Sequence, residues 1–581
     1  MPVSRQRLLE LARIRTRGWL EEETGTVHKS WRGRISVGLI YPNTYPVGMS
    51  NLGFQTVYRL FNEHDHIVCE RFFLPPQDEQ GPLVSVESSR PLSRFDVVAF
   101  SLSFENDFPN ILSILLKAGI PFRAAQRGDT HPLIIAGGVA AFLNPEPIAP
   151  FVDCFLIGEA EAMLPQFLGL LDPAEPRDEF LLKASRDIPG VYVPAFYETI
   201  YGSDGALEAF LPKKDVPARV RRRRVPDLSV HPTCTTLVTK HTTFDAPFLM
   251  EVGRGCPHGC RFCSGGFVYR PARFRTLDAL CKCLEQGMVH SERIGLLGSA
   301  VSNLPDLDGL CRYARDRAIK LSFSSLRADA MTDRLIETLG QSKVRTATLA
   351  PDAGSERMRR VINKSITQKQ VIEAAGRLVT GGVPNMKLYF MVGLPTETLD
   401  DVDAIVSLTR KVKHRFLKSS RPRGRMGHIH VSLNSFVPKP FTPFQWVAMD
   451  SVTSLKSKIR RVKKGLKRLP NVTVHGDMPR WAFIQALLSR GDRRVAPLLE
   501  KAAVDGGTWT RILKESPLNA GFYVSRQRGD DELFPWDFID HGVRKSFLLA
   551  EFRKALHGEM TDPCRIGTCT VCGACGEETS L

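Results

Sequence analysis

The sequence predicts an α/β protein. A doubly wound parallel sheet comes first, then a partial barrel of six βα units, and a small, mostly helical C-terminal region closes the chain. Three observations predict this. Short apolar runs alternate with helical patterns in two separate stretches, as parallel sheets require. At 581 residues the chain is long enough for about three to five domains of roughly 100–200 residues. Seven of the thirteen cysteines fall in two tight groups, one inside the second alternating stretch and one at the very end.

Composition removes several classes. Apolar residues make up 43% and charged residues 24%, which supports large cores and excludes a disordered chain. No apolar run approaches the ~18 residues needed to span a bilayer. The start, MPVSRQRLLELARIRTRGWLEEE, lacks the apolar core of a secretory signal and reads as a first helix within residues 1–30. The expected location is cytoplasmic, away from membranes, with cysteines as thiols or metal ligands rather than disulfides.

Residues 31–200 carry the first alternation. ISVGLIYP (35–42) reads as a buried strand, followed by a Gly/Asn/Pro loop and a helix from about Asn51. FDVVAFSLSF (95–104) and PLIIAGG (132–138) read as further strands, with a helix around Pro109 to Ala118 between them, and CFLIGEAE (154–161) follows. This is a Rossmann-like pattern, and ligands of such sheets bind beyond the carboxyl ends of the strands. Those ends carry Tyr41–Pro42–Asn43, Ser101, Gly137–Gly138 and Gly158–Glu159. Residues 201–245 read as a basic linker.

Residues 246–455 hold the second alternation, with strands in FLMEVGR, RIGLLGS, LSFSSLR, TATLAPD, KLYFMVG and HIHVSLNSF. Six such units suggest a partial barrel with its chemistry at the carboxyl ends of the strands. Residues 456–581 read as helical and basic, then irregular.

The net charge of +17 is concentrated. Between Arg410 and Arg468 stand seventeen Lys/Arg against one acid, Asp450, and Arg219 with Arg221–Arg224 packs five arginines into six positions. Such blocks suit RNA or another polyanion. The competing reading is a solvated helix face plus a basic linker.

Directly after the first barrel strand comes Cys256-Pro-His-Gly-Cys260-Arg-Phe-Cys263. Three thiolates at this spacing can fold around one face of an iron–sulfur cubane and leave its fourth iron open. A zinc site would need a fourth ligand, and only His258 stands near. With Phe262 before its third cysteine, the loop resembles the signature of the radical S-adenosylmethionine (SAM) superfamily. The resemblance implies a [4Fe-4S] cluster that chelates SAM, a one-electron cleavage releasing a 5′-deoxyadenosyl radical, and a flavodoxin- or ferredoxin-like reducing partner. It also implies SAM contacts: Gly298 and Ser299 at the amino group, Ser325 and Arg327 at the carboxylate and ribose, Asp352 where a Glu is more usual, and Gly393 and Leu394 closing over the adenine. The turn at Gly298 departs from the common form, which carries a Glu.

The N-terminal sheet resembles the cobalamin-binding domain that precedes this barrel in a large branch of the superfamily. The Asp-x-His-x-x-Gly motif, whose His ligates cobalt, is absent. Either cobalamin binds without a protein ligand, or the domain is a relic or a substrate platform. YPNTYPVGMSNLGFQTVY, FVPKPFTPFQW, LSRGDRR and PWDFIDHGV resemble one uncharacterised radical SAM family along nearly the whole chain. Cys564, Cys569, Cys572 and Cys575 suit an auxiliary iron–sulfur cluster, a closed structural zinc, or an unliganded tail. The favoured function is radical modification of RNA or another polyanion, by methylation or methylthiolation. The alternatives are a small-molecule substrate and a non-enzymatic RNA-binding or assembly protein.

Overall fold

The computed structural model describes residues 5–75, 82–172, 174–244, 248–324, 326–424, 426–506 and 508–575. The first sheet contains β1 (Ile35–Tyr41), β2 (Ile67–Phe73), β3 (Val97–Ser101), β4 (Leu133–Gly137), β5 (Cys154–Leu156) and β6 (Val191–Tyr192). Its order is β2-β1-β3-β4-β5-β6, parallel throughout except for β6. β2 is buried along its whole length and β1 nearly so, which is why these strands read as continuous apolar runs. The order reverses between β1 and β3, so a crevice opens at their carboxyl ends.

The central unit contains β7 (Phe248–Glu251), β8 (Arg293–Leu297), β9 (Lys320–Phe323), β10 (Thr346–Asp352), β11 (Asn385–Val392), β12 (Ile429–Ser435) and β13 (Val472–Gly476). β7-β8-β9 and β10-β11-β12-β13 are two parallel sets, joined by a parallel bridge between Leu326 and Leu349. The six expected strands form, and β13 adds a seventh in a stretch that reads as helical. No residue of β13 is fully buried, so its sequence carries no apolar run to announce it.

Hydroxyl caps set where the returning helices begin. The side chains of Thr276, Thr332, Thr367, Thr398 and Ser451 each accept a backbone N–H three residues on. Thr367 with Gln370, and Thr398 with Asp401, complete capping boxes. Each helix therefore starts beyond a strand's carboxyl end and descends to the amino end of the next.

That descent moves the positive charge. On helix Leu399–Ser420, Lys413 Nζ donates to the Pro470 carbonyl at 2.5 Å and Arg410 to that of Gly465 at 2.9 Å, while Arg423 just beyond reaches Thr380 at 2.9 Å. The end of helix Val452–Leu466, with Lys463, Lys464, Lys467 and Arg468, thus lies beside Asn471, whose carbonyl accepts the first N–H of β12. Much of this charge therefore gathers at the amino ends of the strands, opposite the barrel mouth. Several of its cations are also neutralised, Arg461 by Asp403 at 2.5 Å, and Lys458 by Glu397 and Asp450 at 2.9 Å each.

The backbone of the arginine block forms part of a seam, while Arg219 and Arg221 stay exposed. Val220–Arg221 pairs in parallel with Ile539–Asp540, Arg223 bridges to Gly158, and Arg222 is buried. A Cβ on Gly158 would stand 2.5 Å from the Arg223 carbonyl oxygen, at a φ of +153°, so this approach requires glycine. Around it lies a buried ion network. Arg254 holds Glu161 at 2.6 Å, Glu159 at 3.0 Å and Glu251 at 2.9 Å; Arg273 holds Glu159 at 2.6 Å; and Arg275 holds Glu251 at 2.6 Å.

The RGDRR segment, which has no role readable from sequence, fastens the C-terminal region to the first sheet. Arg493 pairs with buried Glu146 at 2.9 Å, and Asn144 donates to the carbonyls of Ser489 and Gly491 at 3.1 and 2.7 Å. Trp536 is fully buried, with its indole N–H on Gln445 at 3.0 Å.

Burial raises the Glu159 carboxyl, but the hydrogen bond from Arg273 and the charges of Arg254 and Arg273 outweigh it and hold the pKa at about 2, below its ordinary 4.5. A depressed carboxyl stabilises the fold above its unfolded pKa and loses that contribution as pH falls through the folded value. Stability should therefore drain between about pH 4.5 and 2, and Glu159→Gln should flatten that limb of the acid-unfolding curve. At neutral pH the same substitution should cost about 3–5 kcal/mol in denaturant titrations, because it strands buried guanidinium groups.

Candidate active site

After β7 the pair Gly253–Arg254 runs antiparallel to Arg273–Phe274 and closes the neck of a loop that carries three cysteines. A Cβ on Gly255 would lie 2.6 Å from the Tyr269 carbonyl oxygen at a φ of +80°, so the turn into Cys256 also requires glycine. Cys260 is buried, and Cys256 and Cys263 are half-buried. Burial raises all three thiols, that of Cys263 to about 12, with Cys260 adding to the shift. Backbone N–H groups of His258 and Gly266 oppose it, donating to the sulfurs of Cys256 and Cys263.

Among the described residues no three His, Cys, Asp or Glu side chains converge as a single ion requires. The loop instead offers three sulfurs within one another's field and amide donors aimed at two of them. That donor set fits one face of a four-iron cubane, whose potential such N–H···S bonds tune. His258 is engaged elsewhere, with Nε2 3.0 Å from Asn303 Oδ1.

Several expected SAM contacts gather here. A Cβ on Gly265 would lie 3.9 Å from Ser299 Oγ and 4.0 Å from Cys263 Sγ, which sets the Gly298–Ser299 turn against the loop. Arg327 forms a two-pronged pair with Asp329 at 3.0 and 2.8 Å, and its charge reaches Cys256 and Cys260. Asp352, left-handed at φ +62° and buried, pairs with Lys364 Nζ at 2.6 Å. Sequence reasoning missed Lys364, a cation beside the thiol of Cys260; only its distance of twelve positions from Asp352 could have flagged it. Phe262 packs against the core.

Others stand apart. Gly393 and Leu394 line a separate cleft of about 820 Å³ with Asp450 and Lys458, to which none of the loop cysteines contributes. The Gly393 N–H donates to Glu397 at 2.7 Å, so this turn is bound into its own loop. Ser325 lies outside the described residues. Cys564, Cys569, Cys572 and Cys575 lie together in the C-terminal tail, where the Cys564 thiol feels the other three.

A cavity of about 580 Å³ joins the two sheets' carboxyl ends. Asn51, Ser101 and Gly137 line it from the first unit, and Gly255, Tyr269 and Gly298 from the barrel. Gly158 lines it as expected, but the Glu159 carboxylate is spent on the ion network. Asn43, expected to face a ligand, instead donates to Asp107 at 2.9 Å. No histidine is among the described lining residues.

A family model for the N-terminal part of radical SAM proteins matches residues 53–194, and one for the radical SAM superfamily matches residues 250–409. Uncharacterized protein MJ0966 of Methanocaldococcus jannaschii is 30% identical over 519 residues, covering 88% of this chain and 99% of its own length. Uncharacterized methyltransferase PH0819 of Pyrococcus horikoshii is 21% identical over 336 residues, covering 55% of this chain and 67% of its own. Among solved structures, the radical SAM methyltransferase TsrM from Kitasatospora setae, with tryptophan and a SAM analogue bound, aligns with a TM-score of 0.44 at 11% identity, over 68% of this chain and 72% of its own. The chain belongs to the radical SAM superfamily, and that membership brings a [4Fe-4S] cluster and S-adenosylmethionine as its cofactors.

Proposed function

We propose that this enzyme transfers a methyl group to an enclosed substrate. Cys256, Cys260 and Cys263 hold its cluster, Gly298, Ser299 and Arg327 face SAM, and a cobalamin occupies the interdomain cavity. The observation that carries this reading is the cavity itself: the crevice between β1 and β3 and the neck of the cysteine loop open into one space of about 580 Å³. The methyltransferase named among the relatives supports the reaction class. When bound, the cluster supplies one electron for cleavage of SAM, and the cobalamin supplies a methyl carrier.

The chain's own contribution is positioning and exclusion of water. Asn51, whose amide donates to Ser103 at 3.1 Å, and Ser101 offer polar groups to the amide side chains of a corrin ring. Leu39, Phe142 and Leu164 supply apolar wall. No histidine is among the described lining residues, so a cobalamin held here would receive no imidazole from them, in keeping with the absent Asp-x-His-x-x-Gly motif. An oxygen-labile cluster suits a reducing cytoplasm.

The polyanion reading loses its main support, because the basic cluster ending at Arg468 lies at the far end of the barrel from the cavity. A small-molecule substrate, the alternative reading from sequence, fits the cavity better.

Purified without oxygen and supplied with hydroxocobalamin, the protein should retain about one cobalamin per chain. Gly137→Trp, which fills the cavity, should abolish that retention while cluster absorbance stays. Production of S-adenosylhomocysteine in turnover marks methyl transfer; wild-type protein that holds no cobalamin and makes only 5′-deoxyadenosine would sink the assignment. Replacing Cys256, Cys260 and Cys263 together by Ala should remove cleavage of SAM and leave the circular dichroism spectrum unchanged. Changing Lys463, Lys464, Lys467 and Arg468 to Gln should leave SAM cleavage within about twofold of wild type, since charge at the far end of the barrel steers nothing into the mouth.

A further inference from the structure

The C-terminal tail is fastened to the cysteine loop at successive points. Arg261, inside the loop and fully buried, pairs with Glu551 at 3.0 Å on helix Lys545–Leu556 and donates to the carbonyls of Arg360 and Val361. Glu551 also accepts the Thr561 hydroxyl at 2.8 Å. The Asn363 amide bridges the carbonyls of Gly259 and Thr561 at 3.1 Å each, and its own carbonyl accepts the Thr561 N–H at 2.9 Å. Three residues later the Cys564 N–H donates to the Pro257 carbonyl at 2.8 Å. A cysteine of the tail is thus one hydrogen bond from the residue after Cys256.

Beyond that point the tail carries three more cysteines within eleven residues. Cys572 is buried, and Cys564, Cys569 and Cys575 are half-buried. Gly567 and Gly573 turn the chain at φ +84° and +95°, and Arg544 donates to the carbonyls of Thr570 and Val571 at 3.3 and 2.7 Å. The Cys564 thiol lies in the field of Cys569, Cys575 and Cys572 and beside Arg270. The apolar side chains in this stretch mostly face outward, Val571 at 62% exposed and Ile566 at 44%. So short a segment has no core with which to hold four thiols together, and small units of this kind are ordinarily held by a metal or disulfides. None of the four is disulfide-bonded in the structure.

We infer that Cys564, Cys569, Cys572 and Cys575 ligate a second [4Fe-4S] cluster, through which electrons reach the cluster of the barrel loop. This rests on the radical SAM reading of that loop. Four thiolates saturate the irons of a cubane, so the second cluster has no open site for SAM and its chemistry is electron transfer. A one-electron donor of the flavodoxin or reduced-ferredoxin class is oxidised by one electron. The second cluster takes up that electron and passes it on by way of Cys564, Pro257 and Cys256. The first cluster gains it, and no bond or proton changes until the C–S bond of SAM breaks. Arg544 and Arg565, both exposed, put positive charge at the tail, complementary to an acidic donor protein.

The test uses the full chain, reconstituted anaerobically with iron and sulfide. Wild type should hold two four-iron clusters, seen as eight irons' worth of metal and two overlapping paramagnetic signals on reduction. Cys569→Ala with Cys572→Ala should remove one cluster. In that variant the ratio of flavodoxin-driven to dithionite-driven SAM cleavage should fall about tenfold or more relative to wild type, because dithionite reaches the first cluster directly and flavodoxin does not. If dithionite-driven cleavage is also absent from wild type, the radical SAM reading fails rather than the relay. Zinc in place of the second cluster overturns the inference, since zinc carries no electron, and so does an unchanged ratio. Should the double variant fold poorly, a redox titration of wild type followed by electron paramagnetic resonance decides between one cluster and two.

Discussion

The ion network at the seam, centred on Arg254 and Glu159, is the constraint on which the rest depends. Three carboxylates and four arginines are withdrawn from water there, at a desolvation cost offset only when every partner is in place. Two-pronged guanidinium–carboxylate bonds are directional, so the network fixes the angle as well as the separation of the two sheets. An apolar seam of equal area would hold the units together while allowing them to slide. Because Glu159 lies just beyond the end of β5 and Arg254 in the neck of the cysteine loop, registering these two side chains brings both carboxyl edges onto one cavity.

The C-terminal region completes the enclosure from the other side. Arg261 lies between two loop cysteines, yet its guanidinium is buried and satisfied by Glu551 and two carbonyls. The loop is therefore gripped from outside, as an organic radical requires: water and stray hydrogen donors must be kept from it. Lys364 and Arg327 place positive charge beside the thiols, which favours the thiolate forms that metal binding needs.

Net charge illustrates how far a sum can mislead about a partner. The stretch from Arg410 to Arg468 suggests a nucleic-acid face when counted along the chain. In three dimensions, the capped helices carry much of it to the floor of the barrel, and Asp403, Glu397 and Asp450 neutralise part of the remainder. The arginines at 219–224 include one fully withdrawn into the seam.

What the sequence by itself determined is local. Strands of the first sheet, buried on both faces, leave unbroken apolar runs, barrel strands such as Asn385–Val392 bury alternate residues, and a three-cysteine loop after a strand announces its chemistry because ligation demands fixed spacing. β13 was not legible, being a half-exposed edge with no run to mark it. Tertiary structure alone decided the rest. Lys364 finds Asp352 through a turn, Glu159 is drawn from a ligand-facing strand end into the seam, and Gly393–Leu394 settles in a cleft apart from the cysteines. The final cysteines reach Pro257 across some three hundred positions of chain. Each depends on which distant groups arrive at the same place, and pairing across such separations leaves no periodic trace in either partner's neighbourhood.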